Sequence, residues 1–231
     1  MKAALQIADV RDYSRFPAIT ATAKELDDPR IVSSAARPFL DLRQVDHRTP
    51  TRGAIGCALS HFAVWSQGFA DPEVRALRVF EDDARASDAY HHYRNDLWPP
   101  HCNSLLEEAD IVLLGANILL SASRHCAFEN LLRVYYFNGT WAYIITRRGF
   151  QQLLPRLLPI TTHLDHQISD LLISNAPTIS CYAFSPQLFD HDFTVSSDVE
   201  GDLDCATADG SFDETLDRAK QELAKVGVQC A

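Results

Sequence analysis

The chain has 231 residues, 46% of them hydrophobic, with 31 acidic against 21 basic residues and a net charge of −10. That length and apolar content allow one well-buried core and favour one compact catalytic unit over two full domains. The acidic balance opposes a polyanionic partner, so nucleic acid is not expected, and no apolar run reaches the roughly 18 residues that a membrane span needs.

In chain order, the N-terminus reads Met1-Lys2-Ala3-Ala4-Leu5-Gln6-Ile7-Ala8-Asp9. It meets an acid too early for the core of a secretory leader, and the expectation is a soluble, cytoplasmic protein with no transmembrane segment. Ala3–Ile7 is a short apolar strand pattern. From Ala54 to Phe69 the apolar residues Ile55, Leu59, Phe62, Trp65 and Phe69 recur at helical spacing, with Thr51 or Gly53 at the helix entry and Trp65 in the core. Ala76–Phe80, Ile111–Leu114, Trp141–Thr146 and Thr178–Phe184 are strand patterns. Gly149–Leu158, interrupted at Pro155, and Leu164–Ile173 have helical periodicity. Strands alternating with amphipathic helices predict an α/β fold, a sheet sandwiched by helices.

Residues 199–231 are set apart from a catalytic domain over 1–198. Asp198–Asp213 is acidic and poor in large apolar residues, which predicts an exposed connector. It leads into a last helix opened by the capping box Ser211-x-x-Glu214, with Leu216, Ala219, Leu223 and Val226 on one face and Gly227 as its stop. The six cysteines, at 57, 102, 126, 181, 205 and 230, include no C-x-x-C pair. Free and mostly buried thiols are expected, and neither His91-His92 nor His163-x-x-His166 has cysteines at zinc-ligand spacing.

The chemistry concentrates at Glu81-Asp82-Asp83, where the strand Ala76–Phe80 runs directly into three carboxylates. The carboxyl ends of strands are where α/β sheets bind ligands. Hard cations such as Mn²⁺ or Mg²⁺ prefer carboxylate oxygen and complete their shell with substrate phosphate, so the triplet suits a diphosphate leaving group. The same acids suit a metal-dependent phosphoesterase or nuclease, and a solvated acidic turn is the bland alternative. Ser60-His61 does not read as a nucleophile and base, because adjacent helix residues point about 100° apart.

Several blocks stand in a fixed order: Gly53-x-x-Gly56-Cys57-x-Leu59-Ser60-His61-x-x-x-Trp65, then Val79-Phe80-Glu81-Asp82-Asp83-Ala84, Gly139-Thr140-x-Ala142-Tyr143-x-Ile145, Pro159-Ile160-x-x-x-x-Asp165, and Ser185-Pro186-Gln187-Leu188 with Ser196-Ser197-Asp198. Together, over about residues 50–198, they resemble glycosyltransferase family 25, which holds bacterial lipooligosaccharide galactosyltransferases and collagen galactosyltransferases. The resemblance implies a GT-A-like mixed sheet, a UDP-sugar donor (galactose by analogy, with glucose and N-acetylglucosamine as alternatives), and a glycan or a glycosylated or hydroxylated acceptor. It also implies Mn²⁺ or Mg²⁺ on Asp83 with Asp82 or Glu81, and inversion at the anomeric carbon.

On that reading Ser60, His61, Gly56, Gly139, Thr140, Tyr143 and Arg11 are candidates for donor and substrate contacts, Arg11 standing with Asp9 and Arg15 in a loop that frames the nucleotide. Inversion needs a carboxylate to take the acceptor proton. Asp165 is the first candidate, with an N-cap role as its ordinary alternative; Asp190 or Asp192 is the second. His163 and His166 are candidates for sugar hydroxyls, and a degenerate, glycan-binding member of the family is the non-enzymatic alternative.

Overall fold

The computed structural model describes residues 13–41, 48–93, 101–123, 131–176, 178–192, 194 and 211–228, with backbone only at 92–93, 101–103, 123 and 211–213. The Ala3–Ile7 strand, Asp9, Arg11, Ser196–Asp198, the connector and the Ser211 capping contact lie outside the described residues or side chains.

Four strands form the main sheet, β1 (Ala76–Phe80), β3 (Ile111–Ser123), β4 (Leu131–Thr146) and β5 (Cys181–Phe184), in the order β1-β4-β3-β5. β4 runs antiparallel to β1 and β3, while β3 and β5 are parallel, so the sheet is mixed. A second, two-stranded sheet pairs β2 (Ala84–Ala86) with β6 (Phe189–His191). The α/β expectation holds.

The central parts of β3 and β4 are apolar on both faces because both faces are covered. Ile111, Leu113, Tyr143 and Ile145 face a core that includes Ile55, Phe62 and Trp65 of helix α2 (Arg52–Gly68) and Leu164, Ile168 and Leu172 of helix α6 (Leu164–Ser174). Val112, Leu114, Ala142 and Ile144 face the other way, against Leu105 of helix α4 (His101–Glu108) and against Phe189. Trp65 and Ile55 are fully buried; burying side chains of this size contributes about 1.5–3 kcal/mol each.

Helix α2 starts where its sequence provides a cap: the Thr51 hydroxyl accepts from the Ala54 N–H at 3.0 Å. Helix α5 (Arg147–Leu153) passes at Pro155 into a 3₁₀ turn, Leu154–Arg156, as a proline without an N–H requires. The remaining helices are the short α1 (Ala23–Asp27) and α3 (Asp88–Tyr93), and α7 (Ser211–Lys225). Helix α7 buries Ala219 and Leu223 beside Leu120 and Tyr136. Val226, expected on that face, lies one residue past the helix end and is 54% exposed, and Gly227 closes the helix with φ +80°.

Two strands are longer than their periodicity predicts. β4 begins at Leu131 and continues through Gly139, because the chain takes up extra residues in a bulge. Gly115 pairs with Ala142 and Asn117 with Asn138, so four steps on β4 oppose two on β3. β2, β6 and the helices α1, α3 and α4 are additional elements. Three-residue strands and one- or two-turn helices are too short for a period to register.

Candidate functional site

The site lies at the carboxyl end of β1, level with Gly115 of β3, since Phe80 and Gly115 both pair with Ala142. Phe80 pairs with Ala142, and the next residue, Glu81, donates its backbone N–H to the Trp141 carbonyl at 2.8 Å. The chain then turns, with Ala84 N–H reaching the Glu81 carbonyl at 3.2 Å, and enters β2. The three carboxylates of that turn have different surroundings.

Glu81 points toward helix α2. Its Oε1 lies 3.1 Å from His61 Nε2 and accepts from the Thr140 hydroxyl. His61 Nδ1 lies 2.7 Å from the Tyr143 hydroxyl oxygen, which also accepts from Trp65 Nε1 at 2.7 Å. Burial opposes charge on His61, but Tyr143, Cys57 and Glu81 together hold its pKa well above the ordinary histidine value. Burial also pushes the Tyr143 phenol up. Asp82 is exposed.

Asp83 is largely buried, and its Oδ2 meets His191 Nε2 at 3.0 Å. Its Oδ1 is buried with no hydrogen-bond partner among the described residues. Burial raises the Asp83 pKa, and Glu81 and Asp82 add to the rise while His191 opposes it. A buried acceptor without a donor costs about 1–3 kcal/mol, and a divalent cation on that oxygen would remove both the deficit and the like-charge repulsion. The donor set therefore fits an oxygen-preferring cation at Asp83, with exposed Asp82 beside it. Glu81 is already engaged by Thr140 and His61.

The other expected residues divide into those that build the site and those that hold the scaffold. Thr140 belongs to the site, and the bulge in β4 aims it at Glu81. Gly139 sits at φ +78° in that bulge, and a Cβ there would come within 2.7 Å of the Trp141 indole nitrogen. Asp165 reaches the same bulge from α6: its Oδ2 accepts from the Gly139 N–H at 2.7 Å and its Oδ1 from the His166 N–H at 2.8 Å.

Asp165 is the second residue of its helix; the N-cap is His163, which makes no side-chain capping bond. Burial would raise the Asp165 pKa, but His166, His163 and the two N–H groups outweigh it and hold the carboxyl below the ordinary value. These bonds tie α6 to the bulge. His163 and His166 are buried at the start of α6. His163 Nε2 meets the Thr49 carbonyl at 2.9 Å, and His166 Nδ1 meets the Tyr136 hydroxyl at 3.0 Å.

Gly56 and Ser60 face the chain's own backbone. Ser60 Oγ accepts from the Ile19 N–H and donates to the Gly56 carbonyl, each at 2.8 Å, and a Cβ on Gly56 would come within 2.6 Å of the Ile19 carbonyl oxygen. They dock the segment around Ile19 on α2. Asp190 is exposed in β6, and Asp192 binds Thr194 through its side chain while its N–H reaches the Asp83 carbonyl at 2.8 Å.

Two residues outside the expected set belong here. His191 reaches Asp83 because β6 pairs with β2, Ala84 opposite His191, and Trp141 packs on the His191 ring at 5.3 Å between centroids. No linear spacing marks that pairing, although His191 follows the Ser185–Leu188 block closely. Cys57 lies one helical turn before His61 on α2, a spacing visible in the sequence, and it is free and half-buried.

The sequence profile of "Glycosyltransferase family 25 (LPS biosynthesis protein)" matches residues 6–168. Among relatives, a "Glycosyltransferase 25 family member" of Anopheles gambiae is 24% identical over 94% of this chain and 39% of its own length. "Procollagen galactosyltransferase 2" of Mus musculus is 29% identical over 51% of this chain and 20% of its own. "Inactive glycosyltransferase 25 family member 3" of Homo sapiens is 30% identical over 51% of this chain and 20% of its own. The chain thus spans less than two-fifths of the length of these relatives. Among the described residues, no helix is long and apolar enough to cross a membrane.

Proposed function

The chain belongs to glycosyltransferase family 25, and on that premise we propose that it transfers a sugar, galactose first among the candidates, from a UDP-sugar to a hydroxyl of a glycan or protein acceptor. The observation that carries the proposal is Asp83: a half-buried carboxylate just past the carboxyl end of β1, one oxygen held by His191 and the other buried with no partner among the described residues. Its surroundings favour a cation and a polyanionic ligand on that side of the sheet. The galactosyl assignment draws on the procollagen galactosyltransferase relative. A GT-A-like description suits a mixed sheet that presents an acidic turn at its strand ends.

In this reading Asp83 and Asp82 hold Mn²⁺ or Mg²⁺, which supplies Lewis-acid neutralisation of the departing diphosphate. His191 fixes the Asp83 carboxylate through Oδ2 and leaves Oδ1 for the cation. Glu81 is oriented by Thr140 and His61, and Asp165 acts as a positioning residue that holds the Gly139–Thr140 bulge. A carboxylate that accepts two backbone N–H bonds and has a depressed pKa is a weak proton acceptor, so these contacts favour positioning over base catalysis for Asp165.

The test is UDP release from UDP-galactose, UDP-glucose and UDP-N-acetylglucosamine with Mn²⁺ and with chelator. Chelator-sensitive turnover of one donor supports the proposal and names the sugar. Absence of both turnover and UDP binding would favour a binding-only protein, a reading to which the relative named as inactive gives weight. Phosphodiester cleavage without sugar transfer would revive the hydrolase alternative.

A further inference from the structure

Helix α2 and the end of β1 bring together three side chains that the sugar-transfer reading does not use as a unit. The sulfur of Cys57, a ring nitrogen of His61 and a carboxylate oxygen of Glu81 all lie within 4.8 Å of one another. Cys57 and His61 share a helix face one turn apart, and Glu81 enters from the strand end opposite them. From this convergence we infer that Cys57, His61 and Glu81 form a second cation site, selective for a zinc-class ion and chemically distinct from the carboxylate site at Asp83.

The donor set decides the ion. One thiolate, one imidazole and one carboxylate match zinc-type sites, whereas Mg²⁺ and Mn²⁺ prefer oxygen. Tetrahedral zinc–ligand bonds of about 2.0–2.3 Å place ligand atoms roughly 3.3–3.8 Å apart. His61 Nε2 and Glu81 Oε1 are already at 3.1 Å, so small side-chain shifts around the ion complete the set. Three protein ligands leave a fourth position for water.

The outer contacts are of the kind that zinc ligands use. Trp65 Nε1 can only donate, so the Tyr143 oxygen must accept from it, and a second lone pair remains for His61 Nδ1–H. That tautomer leaves Nε2 unprotonated and aimed at the ion. Without the ion, Nε2–H faces Glu81, and the Nδ1 contact with the Tyr143 oxygen is kept in either state. The Thr140 hydroxyl donates to the same Glu81 oxygen, Oε1, and holds that carboxylate in place. Buried Tyr143 and Trp65 thus orient the histidine, as outer partners commonly do for metal-bound imidazole. Cys57 and Glu81 are only half-buried, which provides a way in. With the ion bound, α2 is pinned to the end of β1, and Glu81 is fixed apart from Asp83.

The test uses the whole chain kept reduced with a non-thiol reductant. The wild type is expected to retain one equivalent of zinc through desalting, and its Co²⁺ form to show a thiolate-to-cobalt absorption band. Cys57→Ala should lose that equivalent, that band and any thermal stabilisation by zinc, while Asp83→Asn should keep all three. Tyr143→Phe is expected to weaken zinc affinity about 10–100-fold. A wild type that binds no zinc, or a folded Cys57→Ala protein that keeps the equivalent and the cobalt band, would overturn the site. None of these readings depends on sugar transfer, so a failed donor assay leaves the inference standing or falling by itself.

Discussion

The two ends of the main sheet each hold an aspartate, and they treat it in opposite ways. At the amino ends of β3 and β5, Asp110 is fully buried and both of its oxygens are used: Arg148 Nε at 2.7 Å and Gln152 Nε2 at 3.1 Å meet Oδ1, and the Ser180 N–H at 2.7 Å meets Oδ2. At the carboxyl end of β1, Asp83 has one oxygen on His191 and one buried oxygen with no partner among the described residues, and burial together with neighbouring acids raises its pKa. A buried charge whose acceptor sites are filled holds the fold together; one left partly unfilled is adapted to a ligand. The residue type is the same at both ends, so position and partners make the difference.

The sharpest way to break this comparison is to replace each aspartate. Asp110→Ala strands the Ser180 N–H and removes the carboxylate partner shared by Arg148 and Gln152, and it should lower unfolding free energy by about 3–5 kcal/mol, read by urea denaturation. Asp83→Asn should do the reverse: stability within about 0.5 kcal/mol of wild type, because repulsion with Glu81 and Asp82 is relieved, but donor turnover lowered on the order of 10²-fold. Similar stability losses in both variants would remove the contrast.

A smaller effect is expected at Asp165, which joins α6 to the site end. Asp165→Asn loses charge-assisted bonds to two backbone N–H groups and should cost about 1.5–3 kcal/mol. The folded pKa lies below the ordinary aspartate value of 3.8, so the carboxylate contributes stability above that value and loses it as pH falls through the folded pKa. Acid titration of stability should therefore be shallower in the variant below about pH 4. A turnover loss of 10²-fold or more with unchanged stability would instead assign Asp165 the role of base. Gly139→Ala, which forces a side chain into φ +78° and against the Trp141 indole, should cost about 1–2 kcal/mol. Its turnover should fall in parallel as Thr140 shifts.

The two ends were also unequally legible in the sequence. β1 matches its apolar run from Ala76 to Phe80, and α2 its Thr51 cap and buried Trp65, because each follows from local pattern and a local hydrogen bond. The acidic triplet was visible for the same reason: an apolar strand ends in carboxylates. Tertiary partners were not visible. Nothing local brings His191 to Asp83 across the β2–β6 pair, sends Ser60 to Ile19, or turns Asp165 to the backbone of Gly139. The expected strand began at Trp141, after Gly139, whereas the positive φ of Gly139 forms a bulge that lets β4 continue on both sides. The Cys57–His61 spacing was legible, but its third member, Glu81, became apparent only when α2 packed against the end of β1.

The central claim is that the carboxyl end of the sheet binds a nucleoside diphosphate through a cation on Asp83. Calorimetric titration of UDP into the wild type and Asp83→Asn, each with Mn²⁺ and with chelator, tests it most directly. The account predicts binding by the wild type with Mn²⁺ alone, and its loss with chelator or with the variant. UDP affinity unaffected by chelator and by the substitution would contradict it.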